Sequence, residues 1–387
     1  MFNMTSEELR KNSAINTASE IYQQPVVWKE LVSILSAQKE ELNNFITSIY
    51  EKHERVRVIF TGAGTSAFIG DTVVPALRRT SNANVQFDAV PTTDIVSNPE
   101  EYLQKDFPTI MVSFARSGNS PESVATVALG EQIVDHFYQV VITCNKDGQL
   151  AKDTKDDKNS VTILMPDKAH DKSLAMTSSF TCMLITAYTL FSSNNLDENV
   201  IDYAEKLIDS LPDKLDEILK FDFERIVYLG SGMLGQLSHE AALKMLELTA
   251  GKVVALHESS LGFRHGPKSI LNDKSVVVVF MSQDPYTRKY DMDILREVAA
   301  DDSDMKVIAL TEKEDSEVVS LADWTVPVTA GNENLTEDFS LALLYVIFAQ
   351  ALSLKKSMKL GITPDNPSPD GNINRVVQGV TIYNYGK

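Results

Sequence analysis

At 387 residues the chain is longer than a single hydrophobic core usually supports, so two domains are expected. A formal net charge of −18 repels nucleic-acid phosphates and acidic membrane surfaces, and any phosphate site must work through local donors and dipoles. Two cysteines, Cys144 and Cys182, are too few for a disulfide framework or a zinc site.

The opening MFNMTSEELRKN lacks the apolar core of a secretory signal. The longest apolar run, LALLYVIFAQALSL (Leu341 to Leu354), is shorter than a membrane span and reads as a buried helix. A cytoplasmic protein is expected. Residues 1–52 form a helical segment, broken at Pro25. RVRVIFTGAGTSAFIGDTVVPALRR follows, in which alternating β-branched residues lead through a Gly-rich turn into an apolar-periodic helix.

RIVYLGSGMLGQLSHEAALKMLEL repeats that pattern 168 residues downstream, Gly230 and Gly232 answering Gly62 and Gly64. The same spacing is expected to carry TIMVSFARSG onto KSVVVVFMSQDP, QVVITCN onto KVIALTE, and SVTILMPD onto DWTVPVTA. SSFTCMLITAYTLF corresponds to DFSLALLYVIFAQAL. Strands alternating with helices imply parallel sheets covered on both faces. The expected organisation is two doubly wound α/β domains, 53–195 and 225–356, joined by a helical linker, 196–224. An irregular tail, 357–387, rich in Pro, Asn, Asp and Gly, completes it.

GAGTSA (Gly62 to Ala67) fits G-x-G-x-x-A and GSGMLG (Gly230 to Gly235) fits G-x-G-x-x-G, with Asp88 and Glu258 following near strand ends. That spacing allows a dinucleotide-binding reading. It equally allows tight strand-to-helix turns with no ligand, the better reading of the second copy. FARSGNSPES discriminates. Ser120 is an N-cap before Pro121 at the first helical position, and Ser117, Asn119 and Ser120 crowd donors around that helix start. Such a cup suits a phosphate monoester, although one serine would suffice for a plain cap. MSQDPYTRKY, in the second half, has lost the serines, so the two copies have diverged in role.

On the helix beginning near Gln236, Glu240, Lys244 and Glu247 share one face. They form either a solvated ladder or a base with its cation. His239 reads as a helix-surface residue, His257 as a strand-end residue with a lesser claim to touch a site, and Lys268 as a solvated lysine sooner than a helper in neutralising an anion. His265, in FRHGPKS, has no partner at ligand spacing, and the scattered histidines give no metal site.

Together, EIYQQP, GAGTS, RSGNS, EAALKMLEL, FRHGPKS and NRVVQGVTI resemble the SIS (sugar isomerase) family of phosphosugar-binding domains. The tandem arrangement is similar to the isomerase half of glucosamine-6-phosphate synthase. It is closer still to the tagatose-6-phosphate ketose/aldose isomerase, or galactosamine-6-phosphate deaminase/isomerase, family. The resemblance implies two flavodoxin-like SIS domains and a cofactor-free isomerase or deaminase. It implies that Ser66, Ser117 and Ser120 bind the sugar phosphate with Thr65 and Asn119 beside them. It gives Glu247 as the base moving a proton between C1 and C2, and places Lys244 near the sugar. It also implies that His265 assists ring opening in a site shared with a neighbouring subunit, hence a homodimer or larger homo-oligomer. Arg116 and Gln378 are further candidate substrate contacts.

Three departures stand out. Ala115 replaces the first serine of S-x-S-G-x-T, Gln378 stands where a lysine is expected, and no glutaminase segment or cysteine follows Met1. Isomerisation or amine release is therefore expected rather than amination. The rival readings are a sugar-phosphate-binding regulator without turnover and a dinucleotide-dependent oxidoreductase.

Overall fold

The structure is a computed structural model, and it describes residues 1–386 apart from 193, 195, 330–334, 336 and 378. Three helices come first, α1 (Ser6–Lys11), α2 (Ile15–Tyr22) and α3 (Gln24–Lys52). β1 (Val56–Thr61), α4 (Thr65–Thr80), β2 (Val85–Ala89), α5 (Thr92–Ser97), α6 (Pro99–Tyr102) and β3 (Thr109–Ala115) follow. α7 (Pro121–Ile133), β4 (Phe137–Thr143), α8 (Gln149–Asp153), β5 (Ser160–Leu164) and α9 (Ser178–Phe191) complete the first α/β layer. The second comprises α10 (Asn199–Ile218), β6 (Arg225–Gly230), α11 (Met233–Leu248), β7 (Val254–Ser259) and β8 (Ser275–Phe280). It ends with α12 (Thr287–Ala299), β9 (Lys306–Thr311), α13 (Ser316–Leu321), β10 (Trp324–Pro327) and α14 (Asp338–Lys359).

Both sheets are five-stranded and parallel, in the orders β2-β1-β3-β4-β5 and β7-β6-β8-β9-β10. Two doubly wound α/β domains are therefore present, as the repeat predicts. β1, β3 and β8 are buried throughout and mostly apolar, with Arg57 the one charged residue among them, because helices cover both faces of a parallel sheet. The repeat is less uniform than expected. Arg57 lies beside Thr109 while Arg225 lies beside Ser275, so the second copy is two residues shorter before its third strand. It shortens again before the last, where Val140 pairs with Val161 but Ile308 with Trp324.

Packing divides the chain into two compact units, neither of them continuous in sequence. One holds the first sheet: Val26–Asp171, Ser178–Leu196 and Asp370–Lys387. The other holds the second: Asp197–Pro369 with Met1–Pro25 and Lys172–Thr177. The two ends of the chain are thus exchanged, each packing with the sheet more distant in sequence. Among the described residues one helix, α14, is long and apolar enough to cross a membrane, but 89% of its most apolar window is buried inside the protein. It is the core helix expected from Leu341 to Leu354 and lies against α10 and α11.

Candidate active site

In each sheet the chain leaves the first strand in one direction and returns in the other, opening a crevice between β1 and β3, and between β6 and β8. Both first turns are built alike. Gly64 has φ 56° and ψ −130°, Gly232 φ 57° and ψ −126°. A side chain on Gly62 would come within 2.6 Å of the Ser66 backbone, so the turn closes only with glycine there.

At the first crevice, Thr65 and Ser66 open α4 and are buried. Ser117 and Ser120 are half-buried and Asn119 is exposed, in the loop between β3 and α7. Ser120 is the N-cap of α7 with Pro121 at the first helical position, yet its hydroxyl makes no capping bond. Ser117 Oγ accepts from the Asn119 amide (3.3 Å), and Asn119 Oδ1 accepts from the Gln149 amide (2.9 Å), bracing the loop against α8. Arg116 is buried and donates to the Arg375 carbonyl (3.0 Å), while the Arg375 guanidinium donates to the Asp171 carbonyl. Asp171 itself caps α9 through the Ser178 and Ser179 amides. Arg116 thus helps to hold the tail. Gln378 lies outside the described residues.

The acid that a dinucleotide reading would give to a ribose is spent internally. Asp88 is bonded to Arg57 (2.6 Å), Arg78 (3.0 Å) and Gln86 (2.8 Å). Burial pushes its carboxyl up, but those bonds outweigh it and hold the pKa below the usual aspartate value. Glu258 accepts from its neighbour, the Ser259 amide (2.7 Å).

In the other unit, α11 carries Glu240, Lys244 and Glu247 on one face. This is no solvated ladder: the Glu240 and Lys244 side chains are fully buried and that of Glu247 is 21% exposed. Lys244 Nζ lies 2.5 Å from Glu247 Oε2 and 3.4 Å from Glu240 Oε1. Burial alone would depress the ammonium, yet the two carboxylates hold it above the ordinary lysine range. Lys244 therefore keeps its charge in the core through its carboxylate neighbours, and removing either side of such a buried pair is costly.

α11 runs antiparallel to the strands, from the Gly232 turn down to the start of β7, so Glu247 lies in its last turn. His265 follows the opposite end of β7, where the Ser260 amide donates to the Gly230 carbonyl (2.9 Å). About 20 Å, the length of α11, therefore separates Glu247 from the end of β7 that leads to His265. His265 is exposed.

Two expectations need correction. His239 is not a plain helix-surface residue: its ring stacks on His257 at 3.9 Å and 14°, and burial beside His257 lowers its pKa to about 4. Lys268 is not a solvated lysine, because it bridges Glu297 (2.8 Å) and Asp301 (2.9 Å).

The model of the SIS domain matches residues 50–193 and 221–356. The chain belongs to the SIS domain family. It is 42% identical to the D-galactosamine-6-phosphate deaminase AgaS of Escherichia coli over 372 residues, 95% of each chain. It is 41% identical to the protein of that name from Shewanella sp. strain ANA-3, over 99% of this chain and 96% of the other. Among solved structures, the tagatose-6-phosphate ketose/aldose isomerase of Escherichia coli superposes with TM-score 0.87 at 39% identity, covering 96% of this chain and 97% of that one.

Within this SIS architecture, two groups escaped sequence reasoning. Glu20 is buried and accepts from the Lys172 (2.5 Å) and Ser173 (3.3 Å) amides, tying the loop Lys172–Thr177 to the unit that holds the second sheet. The EIYQQP motif flagged its position but not this partner. Arg375 sits in a tail whose composition gave no sign of its bond to Asp171.

Proposed function

We propose that the chain interconverts the aldose and ketose forms of a galacto-configured 6-phosphosugar, releasing ammonia when the substrate carries a 2-amino group. The observation that carries this reading is the buried Lys244 ammonium between Glu240 and Glu247, with Glu247 alone of the three reaching solvent. The names of the relatives support the substrate class.

The phosphate rests on the amides and hydroxyls of Thr65, Ser66, Ser117 and Ser120, with Asn119 bracing the loop. His265 of a neighbouring copy assists opening of the ring, since its own Glu247 lies a helix length away. The active form is then a homodimer or larger assembly in the cytoplasm. With Lys244 on Oε2, Glu247 takes the C2 proton of the open-chain 2-amino aldose on its other oxygen while the C1 carbonyl oxygen gains a proton, giving an enolamine. Returning that proton to C1 as the nitrogen gives one up makes a C2 imine, which water hydrolyses to the ketose and ammonium. With a hydroxyl at C2 the same transfer passes through an enediol and yields the ketose alone. The isomerising steps move protons only, the hydrolysis consumes one water as the C2–N bond breaks, and neither calls for an organic cofactor. A regulator without turnover has no use for a solvent-reaching carboxylate held by a buried lysine, so the enzyme reading is preferred.

The test is to supply galactosamine-6-phosphate and assay ammonium and tagatose-6-phosphate together. Both should form in equal amounts. Conversion between galactose- and tagatose-6-phosphate without any deamination would leave a plain isomerase, and no conversion of either substrate would refute the reading.

A further inference from the structure

The second crevice, between β6 and β8, is already filled by the chain itself. Asp291, on α12, is fully buried, and one of its oxygens accepts from Ser231 Oγ and Ser260 Oγ, both at 2.6 Å. The other accepts from the Ser282 amide at 3.0 Å. These three donors come from the loops leaving β6, β7 and β8, so the carboxylate sits where those strand ends converge.

A second carboxylate, Asp338 at the start of α14, accepts from Ser282 Oγ (2.6 Å) and the Gln283 amide (2.8 Å). Strand register makes Ser282 and Gln283 the counterparts of Arg116 and Ser117 in the first domain. Amides that belong to the phosphate loop in one copy are thus bonded to side-chain carboxylates in the other. The hydroxyls of Thr65 and Ser66 are answered by the buried apolar side chains of Met233 and Leu234.

We infer that Asp291 is a resident anion in the second crevice, occupying with its own carboxylate the place a ligand anion would take. Each chain then binds one phosphomonoester, at the first crevice. This rests on the phosphosugar reading above for the occupant of the first crevice, but not for Asp291.

Two measurements separate them. Calorimetric titration of the Glu247→Gln chain with tagatose-6-phosphate should give one equivalent per chain, lost on adding Ser117→Ala and Ser120→Ala. Two equivalents, or one that survives those changes, would overturn the inference. No binding at all would strike the phosphosugar reading and leave the second measurement to decide on Asp291.

In that measurement the Asp291→Ala chain is melted in chloride and in formate, a carboxylate small enough for the gap. Its Tm should fall in chloride and recover selectively in formate, while wild type and Asp291→Asn respond alike to both salts. If Asp291→Ala does not fold in chloride, refolding in formate replaces melting. Recovery in formate supports the inference, and an Asp291→Ala chain indifferent to formate sinks it.

Discussion

Lys244 Nζ lies 2.5 Å from Glu247 Oε2, a fully buried cation against a carboxylate that still reaches solvent. The pairing fixes which carboxylate can meet a substrate, since the other partner of Lys244, Glu240, has no exposed side-chain surface. Glu247→Gln keeps the shape and removes the proton acceptor. Its kcat should drop by about 10²- to 10⁴-fold, the usual contribution of a positioned base. Exchange of the C2 proton with solvent, followed by NMR, should vanish while phosphosugar affinity changes little. Normal exchange in this variant would exclude Glu247 as the base.

Lys244→Met tests the same trio through stability. It removes the buried ammonium that Glu240 and Glu247 share, and breaking a buried ion pair from one side costs about 3–5 kcal/mol. Urea unfolding should show that loss, and the double change Lys244→Met with Glu240→Gln should restore much of it. A single variant as stable as wild type would mean that Glu240 is neutral or hydrated in the native state.

The His239–His257 stack makes a pH prediction. The folded pKa of His239 is about 4, against an ordinary value of 6.5, owing to burial and the neighbouring ring. A depressed histidine gives stability that is complete above 6.5 and is lost as pH falls from 6.5 towards 4. Burial lowers His257 as well, while Glu258 raises it, so part of the same effect lies there. His239→Phe keeps a ring on His257 and removes one titration. Across pH 7.5 to 4.5 its Tm should decline less steeply than that of wild type; parallel curves would count against a depressed His239.

Separation of Glu247 and His265 along α11 and β7 predicts complementation between chains. His265→Ala and Glu247→Gln proteins, each crippled alone, should regain activity when unfolded and refolded together. In a randomly mixed dimer with two shared sites, roughly a quarter of the sites would be intact. Mixtures no more active than their components would place both residues in one chain's site or remove His265 from the reaction.

The sheets were legible in the sequence because buried parallel strands must be apolar runs, and because the tight turns after β1 and β6 admit only glycine at Gly62 and Gly230. The shared face of Glu240, Lys244 and Glu247 was legible as helical spacing. Their burial was not, since the same three charges suit a solvated helix equally well. It depends on what packs around α11, and one of those elements, α14, comes from about a hundred residues later. Lys268 and His239 were misread for a similar reason, their partners coming from α12 with its following turn and from β7. Asp291 in YDMDIL reads as an ordinary polar position of an amphipathic helix, and only the three converging strand ends give it a task.

The exchanged ends of the chain carry a consequence for its synthesis. The unit that holds the first sheet includes Asp370–Lys387, which are synthesised after the strands of both sheets, so that unit stays incomplete although its own strands are made early. Met1–Pro25, made before either sheet, must stay unburied until the unit around the second sheet exists to receive them. Cutting the chain between the sheets would therefore release two incomplete pieces, each carrying a segment that belongs to the other.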